Sequence, residues 1–231
     1  MNYLLNKKIK SIIKDDLGVN DDNKINEALV AQEKQFRLNT EFLSKRNKEN
    51  HKELYQQYLK DFNEISAKLD SVDGSNASSN NSDYRSLKLD ETYNMNGAYL
   101  HELYFANISD VNSKITMDSL SYMRLQRDFG SFDAWQMDFL ACCTASRCGW
   151  AVTYLNMYTQ KYMNCIIDLH SQSVPVGFYP IIVMDTWQHA YYRDYLKDIK
   201  LYSTAMMKEL NWNVIEKRIE KADSILALIR R

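Results

Sequence analysis

Glycine and proline are scarce, with six of the first and two of the second in 231 residues. That is about a third of average usage, which argues against a sandwich or barrel built on tight turns and against collagen-like or disordered chains. A mostly helical globular protein is what remains. Long apolar runs are missing too. The longest, such as 152–155 and 181–184, fall far short of the roughly 18 residues that a membrane-spanning helix needs, so no membrane partner is expected. The first residues, Met1-Asn-Tyr-Leu-Leu-Asn-Lys-Lys, carry no apolar leader core and no small-residue cleavage site. Secretion is therefore not expected, and the Asn-x-Ser triplets at Asn76, Asn80 and Asn107 are read as chance. Nor is there an excess of one charge: 29 basic against 30 acidic residues leave a formal charge of -1, which predicts no generic attraction to nucleic acid. Cys142, Cys143, Cys148 and Cys165 show no CxxC spacing and sit in apolar stretches, where a free thiol behaves as a small hydrophobe. A reducing, cytoplasmic setting is the simpler reading. Histidine is also sparse, at four.

What is present is an ordinary globular balance of 45% apolar and 26% charged residues, enough to bury on the order of 70% of the unfolded chain's surface. Residues 1–40 are charged, punctuated by Gly18 and Asn20-Asp21-Asp22, and read as an N-terminal extension. It is either a solvated segment or an attachment point for another protein. From 41 to 69 an uninterrupted stretch carries Leu43, Leu54, Tyr55, Tyr58, Phe62, Ile65 and Leu69 at spacings of three and four, the pattern of an amphipathic helix. The polar run 71–83 predicts a loop, and a second helix is expected over 89–108, making an antiparallel hairpin. A helix carrying Ile115, Leu120, Met123 and Leu125 should follow, and then a helix capped by Ser131. Beyond Gly149 the period changes to β-branched and aromatic runs at 150–155, 163–169 and 179–184, three short antiparallel strands. Helices over 190–209 and 214–230 close the chain. The expected fold is α+β: extension 1–40, helical hairpin 41–110, and an α/β domain 111–231 with a small three-stranded antiparallel sheet.

Four side chains are of metal-ligand type. His51, Tyr55 and Tyr58 lie at i, i+4 and i+7 and so project from one helix face. His101 sits among Tyr99, Leu103, Tyr104 and Phe105, while Asp185 ends a strand-like run and His189 follows four residues later. Imidazole lone pairs and one carboxylate suit a redox-capable Fe or Mn ion better than Mg or Ca, which take oxygen ligands. Spacing alone is a weak signal here, since a lone His on an apolar helix is more often a hydrogen-bonded core residue.

The run Asp185-Thr-Trp-Gln-His-Ala-Tyr-Tyr192 resembles the iron/manganese superoxide dismutase signature D-x-W-E-H-A-Y-Y. Asn96-Gly-Ala-Tyr-Leu-His-Glu-Leu-Tyr-Phe105 and Asn50-His-Lys-Glu-Leu-Tyr-Gln-Gln-Tyr58 are similar to the two ligand-bearing helices of one bacterial branch of that family. Asp128-Phe-Gly-Ser-Phe-Asp133, Gly149-Trp150 and Asn211-Trp212 fall in family order, so the resemblance spans 41–218 and leaves out the first forty residues. It implies that His51, His101, Asp185 and His189 hold one Fe or Mn ion. It further implies that Tyr58 is the gateway tyrosine and that His170 is the hydrogen-bond partner of the solvent on the metal. Trp135, Trp150 and Trp187 would line or back the site, or else simply pack in the core. Superoxide is the implied substrate, and a homodimer or larger oligomer the implied assembly. One departure stands out: Gln188 replaces the Glu that reaches the ligand His of a partner subunit, bringing an acceptor but no charge. The alternative is a dismutase-like structural or binding subunit of a larger assembly, of virion or ribosome type, partnered through residues 1–40.

Overall fold

Ser44, Ser82, Ser119 and Ser131 each stand just before a helix and accept a hydrogen bond from a free first-turn N–H, those of Asn47, Arg85, Tyr122 and Ala134 respectively. In the computed structural model, which describes residues 30–108 and 113–229, these caps open helices α1 (Lys45–Leu69), α2 (Asp83–Asn107), α3 (Leu120–Phe129) and α4 (Phe132–Ala145). The chain divides into a unit of residues 1–30 and a unit of residues 31–231; the account below concerns the second.

On α1 the buried residues are Asn47, His51, Tyr55 and Leu59, a single stripe at a spacing of four. That stripe faces α2 across an antiparallel hairpin. The two helices come close where Gly97 leaves room: a Cβ there would stand 2.9 Å from the Tyr58 ring. The second helix begins at Asp83, six residues before the expected start, because Ser82 caps it. The helix expected to carry Ile115 begins only at Leu120, after the Ser119 cap.

Three antiparallel strands follow, β1 (Gly149–Asn156), β2 (Lys161–Asp168) and β3 (Phe178–Asp185), in the order β2-β1-β3. The central strand β1 is buried from Gly149 to Leu155, as expected of a strand covered on both faces. At its start the backbones are crowded, for a Cβ on Gly149 would fall 2.0 Å from the Ile167 carbonyl oxygen. The β1–β3 register sets Trp150 opposite Asp185, and a bulge follows at Thr153/Tyr154.

Three helices complete the fold: α5 (Gln188–Tyr195), α6 (Ile199–Met207) and α7 (Trp212–Ile229). The single helix expected over 190–209 is two helices. Leu196 turns into the left-handed region (φ 51°), and Asp198 then recaps the chain by accepting from the Leu201 N–H.

Of the expected extension, residues 1–29 lie outside the described residues. Residues 31–40 run along the hairpin. Ala31 exchanges two hydrogen bonds with the Asn63 side chain, at 2.9 and 3.0 Å. The Lys34 N–H donates to the Tyr55 hydroxyl at 3.1 Å, and Phe36 packs on Tyr55 and Phe105. Leu38 and Leu43 are buried.

Candidate metal centre

Three elements deliver four side chains to one point. The α1 stripe carries His51, α2 carries His101, and the end of β3 with the first turn of α5 carries Asp185 and His189. One ligand atom from each lies within 4.8 Å of all the others. The three imidazole Nε2 atoms converge on a single carboxylate oxygen, Asp185 Oδ2: His51 at 3.0 Å, His189 at 3.2 Å and His101 at 3.6 Å. The other oxygen, Oδ1, accepts from the Trp187 backbone N–H at 2.8 Å, which fixes the plane of the carboxylate. Behind it the Tyr202 hydroxyl donates to the Asp185 carbonyl at 2.9 Å and pairs with the Tyr104 hydroxyl at 2.9 Å.

The protonation pattern follows from the partners. His101 Nδ1 lies 2.6 Å from the Gly97 carbonyl oxygen, which can only accept, so Nδ1 carries the proton and Nε2 is left with a lone pair. That Nε2 is buried without a hydrogen-bond partner among the described residues and faces Asp185 Oδ2, also an acceptor. Two buried acceptors turned toward each other are unfavourable unless a cation lies between them. The donor set thus fits a metal ion, with nitrogen and carboxylate oxygen suited to a transition metal. Burial pushes the pKa of His51 down, opposed by its hydrogen bond to Asp185. Burial pushes His101 further down, reinforced by His51. Burial would raise the Asp185 carboxyl, but His189 and His51 outweigh it and hold the group ionised, well below the usual carboxylate range. Neutral His51 and His101 beside an ionised carboxylate are the protonation states that ligation requires.

Around this cluster lie the other side chains singled out in the sequence. His170 is buried; its Nδ1 accepts from the Trp150 indole N–H at 3.0 Å, so Nε2 holds the ring proton, and that atom has no partner among the described residues. Burial lowers the pKa of His170 to about 4. Trp187 stacks on His170 at 5.0 Å and on His189 at 5.7 Å, and Trp150 meets His101 edge-on at 4.9 Å. Tyr58 touches His101 at 5.4 Å and His170 at 4.7 Å between ring centroids. Trp135 packs among Phe132, Phe139 and Trp212, with its indole N–H on Thr153. Gln188 is exposed, in a surface depression that Asn50, Tyr192 and Leu196 border and that reaches His51 and His189.

Sequence reasoning missed several supports. Tyr93, Gly97, His101 and Tyr104 occur at i, i+4, i+8 and i+11 on α2, one face, so a search by helical spacing from His101 would have found Tyr93. Asn96, whose side-chain N–H donates to the His170 carbonyl at 2.9 Å, stood in the quoted motif without a role. Tyr202 had no local signal, since it reaches Asp185 from a helix whose position only the tertiary fold determines.

Residues 119–218 match the family model described as iron/manganese superoxide dismutases, C-terminal domain. The superoxide dismutase [Fe] of Aquifex aeolicus (strain VF5) is 36% identical over 188 residues, covering 80% of this chain and 87% of that protein. The superoxide dismutase [Fe] of Aquifex pyrophilus gives the same figures, 36% over 188 residues. The superoxide dismutase [Mn] 2 of Haloferax volcanii is 31% identical over 131 residues, 57% of this chain and 65% of that protein.

Proposed function

Because the chain belongs to the iron/manganese superoxide dismutase family, we propose that it is an active dismutase. It would convert two superoxide ions and two protons into one dioxygen and one hydrogen peroxide at a single Fe or Mn ion. The observation that carries this reading is the convergence of three imidazole nitrogens on one oxygen of a buried carboxylate. A redox-active ion held by His51, His101, Asp185 and His189 would supply the one-electron exchange that the reaction needs.

The chain's own residues do the rest. His51, His101 and His189 present lone pairs, and the ionised Asp185 offsets part of the cation's charge. The Trp187 backbone N–H and the Tyr202 hydroxyl hold the carboxylate in place. His170, kept in the Nε2-protonated tautomer by Trp150, offers a hydrogen-bond donor beside the cluster. Tyr58, whose phenol burial keeps protonated, offers a second donor where α1 meets solvent. Both donors can orient a small anion and the protons that turnover consumes, as outer-shell groups do around metals. Retention of all four ligands together with both donors favours the enzyme over a subunit that keeps the fold without chemistry. The face bearing Gln188, Tyr192 and Leu196 is the surface through which two copies would pair, with an amide in place of a carboxylate beside His51 and His189.

The test is a purified preparation in which bound Fe and Mn are quantified and superoxide loss is assayed per metal ion, beside a His189→Ala variant. Near-stoichiometric metal and a rate far above the variant's are expected. A chain that retains no metal, or turns over no faster than His189→Ala, overturns the reading.

A further inference from the structure

His170 is anchored at few points. Its Nδ1 accepts from Trp150 and its backbone carbonyl from Asn96, while Nε2 has no partner among the described residues. A ring held by one side-chain bond can still swing about that bond, so something must fix the direction of the Nε2–H. Trp187 stacks on the ring at 5.0 Å, and two phenol rings from different helices meet it as well. Tyr58 on α1 meets the imidazole edge-on at 4.7 Å, and Tyr93 on α2 meets it edge-on at 4.8 Å. The phenols also meet each other edge-on at 6.2 Å, and Tyr93 adds to the burial that keeps the Tyr58 phenol protonated. Both tyrosines are half-buried while His170 is buried, so the pair stands between the imidazole and solvent. Gly97 lets Tyr58 lie this close to α2: it sits one turn after Tyr93, and a side chain there would strike the Tyr58 ring.

We propose that Tyr93 is a positioning residue of the centre, clamping His170 with its ring and tethering Tyr58 with its hydroxyl so that both donors face the incoming anion. Its consequence for turnover rests on the dismutase reading above; the clamp itself does not. The two parts of the side chain do separable work. The ring blocks rotation of the imidazole about the Trp150 bond. The hydroxyl holds the Tyr58 phenol against the same cluster.

Tyr93→Phe keeps the ring and removes the tether, and Tyr93→Ala removes both. Tyr93→Leu keeps apolar volume in case the Ala variant folds poorly. The first readout is the Trp150 indole N–H, followed by ultraviolet resonance Raman on the full chain as purified, whatever its metal content, with a Trp150→Phe spectrum subtracted. Tyr93→Ala and Tyr93→Leu should shift that band toward a free N–H, and Tyr93→Phe should leave it in place. The second readout is kinetic: Tyr93→Phe should lower kcat about 3- to 10-fold at unchanged KM and metal content, and Tyr93→Leu about 10- to 100-fold, the range for outer-shell partners of a metal site. An unshifted Trp150 band in both ring-deleting variants overturns the clamp, and a Tyr93→Phe variant with wild-type kcat overturns the tether. If the wild-type chain is inactive yet the band responds, the dismutase reading fails and the clamp stands.

Discussion

The two halves of the candidate centre are built differently. The hairpin half supplies His51 and His101 from within two 25-residue helices, where both imidazoles are buried against Phe105 and His51 also meets Tyr104. The strand half supplies Asp185 from the last residue of β3 and His189 from the first turn of a short helix, with His189 partly open to the surface beside an exposed Gln188. Helices packed along their length fix position; a strand end followed by a turn brings charge and access. The hairpin therefore provides rigid neutral donors, while the strand half provides the one anion about which all three donors are arranged.

The largest effect should come from removing that anion. Asp185→Asn keeps the size of the side chain but sets a neutral amide among three lone pairs. Metal retention and activity should then fall at least about a hundredfold, beyond what outer-shell losses cost. His51→Gln, which spares the carboxylate, should lose less; equal losses on metal analysis would erase the distinction between the halves.

A second effect concerns protons. Burial lowers the folded-state pKa of His51 and His101, and that of His170 to about 4. An unfolded chain takes up protons near the ordinary imidazole pKa of 6.5 while the native chain resists them. Stability of the chelator-treated protein is therefore full above that pH and is lost as the pH falls from about 6.5 toward about 4. Urea midpoints at pH 7.5 and 5 should show the drop, and a flat profile would mean that these imidazoles are not desolvated.

A third change tests the closeness of the hairpin. Gly97→Ala places a methyl group against the Tyr58 ring, so it should cost about 1–3 kcal/mol by overpacking and displace Tyr58 from His170. Urea unfolding and the kinetic response of Tyr58 would register it. The smallest effect lies on the strand half. Leu196→Gly relieves an exposed residue held at φ 51° and should stabilise the chain by about 1 kcal/mol. A loss of stability would mean that the left-handed turn at the end of α5 carries no strain.

Legibility in the sequence divides along local and long-range lines. Where a signal was local it sufficed: the alternating and β-branched runs gave three strands close to their observed ends, and Ser131 gave the cap of α4. Asp185 and His189 were readable because the motif that carries them is contiguous. His51 and His101 were not distinguishable from core histidines by spacing, and it was resemblance of the surrounding residues that singled them out. The break at Leu196 escaped because neither Gly nor Pro marks it; a leucine takes a positive φ there that glycine would ordinarily supply. The docking of residues 31–40 escaped for another reason. It depends on pairing Ala31 with Asn63 and Lys34 with Tyr55, partners 32 and 21 positions away, which no local pattern encodes.

The register of β1 against β3 carries a consequence for folding fidelity. Successive side chains of a strand alternate between faces, so sliding β3 by one residue along β1 would turn Asp185 to the far side of the sheet. The same slip would carry Asp185 away from Trp150, its partner across the ladder, and displace His189, which follows it by four residues. The pairing of two strands thus acts as a checkpoint for the whole centre. A chain that misaligns these strands keeps the two hairpin histidines but has no carboxylate between them.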